Sequence, residues 1–331
     1  LLKQNGYEPI GITLELFVGS SCCNINTYID AKNVCNSIGI PHFTDNCKEL
    51  FKKHVIQDFI DCYSNCKTPN PCIECNKYMK FGAMYEKAKE LGCDYIATGH
   101  YAKMEYSDEY GKYVLRKAKN LSKDQSYVLY NMPKQLLGKV LFPLGDFKSK
   151  EDVRKIAKEH NLSVASKPDS EDICFIPDGN YKKFLEQNSS IVPKEGNIVN
   201  RKGEILGRHT GLYNYTIGQR KGLGISYKAP LFVIGFNKER NEVIVGEQQE
   251  LYRKEMKVNE VNLLLMDKIE RTLDVTVKIR YASKPAEAII NQTESGNIQV
   301  IFKEPQRGIT PGQSAVFYIG DVVVGGGKIQ D

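Results

Sequence analysis

At about residue 165 the periodicity of this 331-residue chain changes, and that change limits its architecture more than any other feature. Before it, apolar runs bounded by Gly and Pro alternate with helical patterns. "EPIGITLELFV" (8–18) suits a buried strand of a parallel sheet, followed by helix ("TYIDAKNVCNSIG"), strand ("IPHFTD") and helix ("ELFKKHVIQDFIDCYS"), then helix ("KYMKFGAMYEKAKELG") and strand ("CDYIATGH"). Strands alternating with helices imply right-handed crossovers and a doubly wound parallel sheet. Ligands in such sheets bind beyond the carboxyl ends of the strands, which puts Gly99 and His100 at a site edge. Beyond the change, "GEILGRHTGLYNYTIGQRKGLGISYKAP" is rich in Gly and basic residues and holds no long helix. "FVIGFN", "EVIVGE", "LDVTVKIRYAS", "AEAIIN", "IQVIFKEP", "QSAVFYIG" and "VVVGGGKI" are short period-two strands between turn residues, the pattern of a small antiparallel barrel. The expected division is a parallel α/β domain (1–164), a small central domain (165–229) and a C-terminal β-barrel (230–331).

No run of about eighteen apolar residues is present, so no membrane-spanning helix is expected. The opening "LLKQNGYEPIGITLELF" lacks a charged leader with an apolar core and a cleavage site, and a cytoplasmic protein is expected. Its first residues read as the last turn of a helix closed by Gly6, so an upstream strand and loop are expected to have preceded them. The formal charge of +6, from 46 basic and 40 acidic residues, suits a polyanionic partner without requiring one. Ten cysteines without an export signal point to thiols, metal ligands or catalytic sulfur rather than structural disulfides.

"KTPNPCIECNKYMKFG" (67–82) holds Cys72 and Cys75 two residues apart, between a Pro-Asn-Pro and a helix. A thiol at a helix start is activated by unpaired N–H groups and the helix dipole. With Lys77 and Lys80 within a turn, Cys75 is a candidate nucleophile. A four-sulfur zinc site from Cys62, Cys66, Cys72 and Cys75 is the structural alternative, although C-x3-C-x5-C-x2-C is not a zinc-ribbon spacing. Spacing alone leaves both open. Cys22, Cys23, Cys35, Cys47 and Cys93 read as small apolar packing groups. Cys174, in "DSEDICFIPDGNYKKFL", is either a core thiol or a sulfur carrier on a segment that approaches Cys75.

Seven segments in order, "TPNPCIECNKYMKFG", "DYIATGHYAK", "SKDQSYVLY", "DSEDICFIPDGNYKKFL", "GLYNYTIGQRKGLGI", "KIRYAS" and "ITPGQSAVFYIGDVVVGGGKI", closely resemble the tRNA-specific 2-thiouridylase family of N-type ATP pyrophosphatases. The resemblance implies a sulfurtransferase that activates O2 of the wobble uridine of tRNA with ATP and Mg²⁺, releases pyrophosphate, and displaces AMP with sulfur from a cysteine desulfurase or a sulfur-relay protein. It implies Cys75 as nucleophile and Cys174 as persulfide carrier, with a transient disulfide between them. Leu14 and Gly99 match positions beside ATP. Asn70, Pro71 and Cys72 match the segment that touches the target base, while His100, Lys123, Asp124, Gln125, Arg280, Tyr281 and Gln313 match tRNA-contacting positions.

Two departures matter. The family's N-terminal strand and Ser-Gly-Gly-Val-Asp-Ser loop, which cradle the ATP phosphates, have no counterpart here, so the polypeptide as written is expected to bind ATP poorly and to be inactive. Position 72 is Cys where many members carry Asp, and Cys72, Cys75 and Cys174 together could ligate an iron–sulfur cluster with one iron open to sulfide. The persulfide route is the family default. The rivals are a small-molecule adenylating ligase on the same ATP fold and a non-catalytic tRNA-binding remnant.

Overall fold

The computed structural model describes residues 1–17, 25–167 and 173–330; Cys22 and Cys23, and the beginning of the segment that precedes Cys174, lie outside them. A single 3₁₀ turn (Lys3–Asn5) ends at Gly6, whose φ of 84° forms the left-handed cap that the sequence calls for. Along the chain come β1 (Gly11–Glu15), α1 (Ile25–Ser37), β2 (His42–Asn46) and α2 (Lys48–Phe51), which runs through a π-helical turn (Lys52–Ile56) into α3 (Gln57–Ser64). After Pro69 and Asn70, α4 (Pro71–Cys75), a π-helical stretch (Asn76–Ala83) and α5 (Met84–Glu90) follow without interruption. Then come β3 (Ile96–Ala97), β4 (Ala102–Ser107), β5 (Lys112–Lys117), β6 (Val140–Leu141), α6 (Lys150–Glu159) and α7 (Tyr181–Asn188). The remainder is strands: β7 (Gly196–Asn200), β8 (Ile205–His209), β9 (Phe232–Asn237), β10 (Glu242–Gly246), β11 (Tyr252–Leu263), β12 (Leu273–Lys278), β13 (Ala286–Gln292), β14 (Ile298–Arg307), β15 (Ser314–Ile319) and β16 (Val322–Ile329).

The contacts divide the chain into two compact units. The first holds residues 1–56, 71–180 and 321–323. Here the parallel α/β arrangement expected from the alternation is present as two parallel pairs, β1 with β2 (Gly11 opposite His42) and β3 with β6 (Ile96 opposite Val140). A cavity of about 560 Å³ is lined by both pairs, through Ile12, Ile96, Ala97 and Leu141, and by Met84 and Ala88. The β4–β5 hairpin pairs Ala102 with Lys117, and Arg116 Nη1 meets Asp321 Oδ1 at 2.7 Å. Within this unit Phe51, Phe81, Leu115, Tyr127 and Tyr130 are fully buried.

The second unit holds residues 57–70, 181–320 and 324–331. Its first layer is a four-stranded sheet in the order β8-β7-β10-β9, packed on Ile198, Val233, Val243 and Val245. Its second is an antiparallel barrel of six strands, β11-β14-β13-β12-β15-β16, closed by β16 pairing back onto β11. Closure removes the edges that an open sheet would expose. The alternation of the sequence is the alternation of burial: Ile298, Val300 and Phe302 point inward from β14, Val275 and Val277 from β12, and Ala288 and Ile290 from β13. "FVIGFN" and "EVIVGE", read from sequence as barrel strands, are β9 and β10 of the four-stranded sheet instead. Period-two alternation identifies a half-buried strand but carries no information about its partners.

Phe302 has no exposed surface, so Phe302→Ala should lower unfolding free energy by about 3–5 kcal/mol. A urea midpoint unchanged from the parent protein would show that the barrel interior is not the close-packed core described.

Candidate active site

Helix formation at the cysteine segment begins earlier than the sequence reading supposed. Pro71, not Lys77, is its first residue, because proline lacks the N–H that a first-turn residue could not pair anyway and its φ is already helical. Cys72 therefore lies in the first turn, where the dipole acts, and Cys75 one turn further in. Cys72 is exposed and Cys75 half-buried.

The stretch after Cys75 is π-helical. In an α-helix, side chains three and four apart share a face. A residue five apart joins that face where the turn widens to i→i+5 bonding. The widening brings Lys80 to the face of Cys75, and both line a cavity of about 490 Å³. Asn76 ties the helix to the neighbouring loop, its Nδ2 donating to the carbonyl of Val128 at 2.8 Å.

The cavity lies where the carboxyl ends of parallel strands meet the helix. Leu14 and Leu16 enter from the end of β1, and Thr98, Gly99 and His100 from just beyond β3. Gly99 is not at a positive φ, and a Cβ there would meet only Leu144, at 3.8 Å. Gln125 completes the wall and is fixed to Tyr101 twice: its Oε1 accepts from the Tyr101 N–H at 3.0 Å, and its own N–H donates to the Tyr101 carbonyl at 2.8 Å. Five residues singled out from the sequence, Leu14, Cys75, Gly99, His100 and Gln125, thus share one cavity. Among the residues that the sequence reading left without a role, Thr13, Met79 and Thr98 also line it.

His100 is 8% exposed. Its Nε2 lies 3.2 Å from Lys80 Nζ and its Nδ1 2.7 Å from Thr98 Oγ1. An ammonium only donates, so Nε2 is the acceptor and the neutral ring carries its proton on Nδ1, donating to Thr98. Burial, with the Lys80 charge second, pushes the imidazole down to about 3.

The other sequence-derived residues are placed as follows. Asp124 is buried; its Oδ1 accepts from the N–H groups of Ala118 (2.9 Å) and Ser126 (3.2 Å), and its Oδ2 from Ser126 Oγ (2.7 Å). Lys123 is exposed beside it. Cys174 belongs to the same unit as Cys75 but is not among the described residues that line the cavity; its neighbour Phe175 packs edge-on against Phe51. Among the described residues, no three His, Cys, Asp or Glu side chains are gathered as a metal-holding group. The three-thiol cluster of Cys72, Cys75 and Cys174, which belong to one unit, is therefore not gathered among them. Burial and the Asp58 carboxylate push the Cys62 thiol up to about 12.

In the second unit Gln313 holds the approach to the cysteine segment. Its Nε2 donates to the carbonyls of Thr68 and Pro69, each at 3.0 Å, and the Thr68 N–H donates to Pro311 O at 2.9 Å. Gly312, at φ 88°, permits this close approach, since a Cβ there would lie 2.9 Å from Thr68 N. Asn70 follows directly in the chain. Arg280 is half-buried and donates to Gly308 O at 2.6 Å and to Thr310 Oγ1, while Tyr281 is exposed with Lys278 Nζ 5.5 Å from its ring.

Three family models match in tandem: a tRNA methyl transferase HUP domain over residues 1–178, a tRNA methyl transferase PRC-barrel domain over 182–247 and an aminomethyltransferase beta-barrel domain over 253–329. The chain is 46% identical over 337 residues to the tRNA-specific 2-thiouridylase MnmA of Clostridioides difficile, with 100% of this chain and 93% of that protein covered. Its identity to the protein of the same name from Caldicellulosiruptor saccharolyticus is 48% over 339 residues, covering 100% and 93%. With that of Acetivibrio thermocellus it is 46% over 339 residues, covering 100% and 94%.

Two measurements check this site. An unfolded imidazole titrates near 6.5, so between there and about 3 the unfolded chain binds a proton that native His100 does not. The stability that this residue contributes is complete above the unfolded value and lost as pH falls through the window. The urea midpoint of the parent should therefore fall further between about pH 7.5 and about pH 5 than that of His100→Gln; equal falls would refute the buried neutral ring. Gln313→Leu removes two hydrogen bonds and should lower stability by about 1–3 kcal/mol, with faster hydrogen exchange at Thr68; unchanged exchange would show that the clamp does not hold that segment.

Proposed function

Because this chain belongs to the tRNA-specific 2-thiouridylase family, we propose that it is a cytoplasmic, ATP-dependent sulfurtransferase that converts the wobble uridine of tRNA to 2-thiouridine. The observation that carries the reading is the cavity that Cys75 shares with Leu14, Gly99, His100 and Gln125. It has the ingredients for an adenine nucleotide: apolar side chains from β1, a glycine whose backbone a ligand can approach, and a positive charge on Lys80. Mg²⁺ would accompany the ATP phosphates, which are usually presented with it.

A urea-type carbonyl is a poor electrophile until its oxygen becomes a leaving group. Attack of uridine O2 on the α-phosphorus of ATP forms the O–P bond and expels pyrophosphate with the electron pair of the broken bond. The terminal sulfur of a persulfide on Cys174 then bonds to C2, and the C2–O pair leaves on AMP. Attack of the Cys75 thiolate on Cys174 Sγ forms a disulfide and returns the S–S pair to the sulfur on C2, giving 2-thiouridine. An external thiol reductant then restores both cysteines. Two moderate barriers replace one high barrier. A cysteine desulfurase or a sulfur-relay protein supplies the persulfide. The persulfide route, the family default, is the one proposed.

On this reading Asn70, Pro71 and Cys72 face the target base, and Lys123, Asp124, Gln125, Arg280, Tyr281 and Gln313 serve tRNA recognition, while His100, expected from the resemblance to join them, is 8% exposed with both ring nitrogens engaged by Lys80 and Thr98. Asp124 would act by shaping the loop that presents Lys123 and Gln125, since its carboxylate oxygens accept from Ala118 and Ser126. A three-part division, with the expected boundaries of 1–164, 165–229 and 230–331 changed so that the last lies beyond β10 because β9 and β10 belong to the four-stranded sheet, gives the α/β part the chemistry and the remainder the tRNA.

Mass spectrometry of nucleosides from bulk tRNA of the source strain should show 2-thiouridine lost on deletion of the gene and restored by the gene in trans, but not by Cys75→Ser or Cys174→Ser, each reducing it by at least about a hundredfold. Unchanged thiolation after deletion would leave a tRNA-binding remnant or a small-molecule ligase as the better reading.

A further inference from the structure

Among the described residues that line the Cys75 cavity, Lys80 alone brings a full positive charge, and no acidic side chain opposes it. That imbalance favours an anion. The lysine is also aimed. A long flexible stem would ordinarily leave the ammonium to wander. Here it is held at 3.2 Å from an acceptor, His100 Nε2, whose ring is in turn fixed by Thr98 Oγ1 at 2.7 Å and packed between Phe81 and Phe142. An ammonium has three donors, and His100 takes one. The π-helical turn supplies the other half of the placement, because it sets Lys80 on the face of Cys75.

We propose that Lys80 is a catalytic residue that binds the phosphate of the adenylated intermediate, and that His100 and Thr98 are positioning residues that direct its ammonium. This rests on the thiouridylase reading. When sulfur bonds to C2 and the C2–O pair leaves on AMP, a negative charge moves from sulfur to a phosphate oxygen. Lys80 lies in the cavity proposed to hold that phosphate, so it stabilises the charge that develops on the leaving oxygen without reorganising. A neutral, acceptor-only Nε2 is what this geometry requires, since an imidazolium would repel the ammonium.

The experiment compares AMP with adenosine as probes, by calorimetry on the full chain, in the parent and in Lys80→Met, Lys80→Arg, Thr98→Val and Thr98→Ser. Lys80→Met should weaken AMP by about 10- to 100-fold and leave adenosine within about twofold, as expected for loss of a charge-assisted hydrogen bond. Lys80→Arg should keep most of the preference for AMP. Thr98→Val should lose part of that preference and Thr98→Ser regain it, which a packing role alone would not produce. If Lys80→Met weakens both probes equally, or neither, the proposal is overturned. Thiolation of tRNA in the complemented strain is read in parallel. Full thiolation by Lys80→Met overturns the catalytic role while leaving the family reading intact. A parent that fails to thiolate but shows the Lys80-dependent preference leaves the anion site standing and removes the reading built on it.

Discussion

The change of helical pitch between Asn76 and Ala83 is the constraint from which the site follows. Pro71 starts the helix, and the wider turn then alters which side chains share a face. Were the segment α-helical throughout, Cys75 would share its face with Met79 and Tyr78, and Lys80 would point elsewhere. With the π stretch, Cys75, Met79 and Lys80 all reach one cavity. Such stretches satisfy backbone hydrogen bonds less well than an α-helix, and their retention beside reactive groups is commonly functional.

The lysine and the histidine then define each other's states. A buried imidazole next to an ammonium cannot hold a second proton without two like charges meeting in a poorly solvated site. The ring therefore stays neutral, and Thr98 decides which nitrogen keeps the proton. Nothing in this arrangement depends on charge at His100. A residue that reads from sequence as a contact for RNA has, in the fold, both ring nitrogens engaged by protein side chains and little surface left to offer.

How much of this was legible beforehand follows from what sequence periodicity encodes. β1, β2 and β3 and the barrel strands β12 to β16 were legible, because burial on one or both faces writes itself into apolar spacing, whereas the two-residue β6 and the largely polar β11 were not. The assignment of β9 and β10 to a barrel was not correctable from sequence, since strand partners are set by long-range packing. Cys75, Gly99 and His100 were found through their motif context, and they meet in one cavity. Lys80 was visible only as a charge near a thiol. Its spacing of five from Cys75 argues for opposite faces under α-helical rules, and no side-chain pattern announces a π turn. Thr98 was equally silent, because a threonine at a strand end is ordinary for β-structure.

The position of Cys72 shows how electrostatics divides two thiols that look equivalent in "PCIEC". Cys72, in the first turn, has the unpaired N–H groups nearby and is exposed. Cys75 is deeper and lies on the cavity wall with a cation that the helix has turned toward it. The helix dipole falls off within a turn, so it favours a thiolate at Cys72 more than at Cys75. Reactivity at Cys75 therefore draws on the cavity: a cation fixed by hydrogen bonds, apolar walls that keep the local dielectric low, and a ligand phosphate whose charge binds that same cation. One ammonium can serve the two in turn: the phosphate takes its charge while AMP leaves, and the Cys75 thiolate acts in the later step, when it attacks Cys174 Sγ.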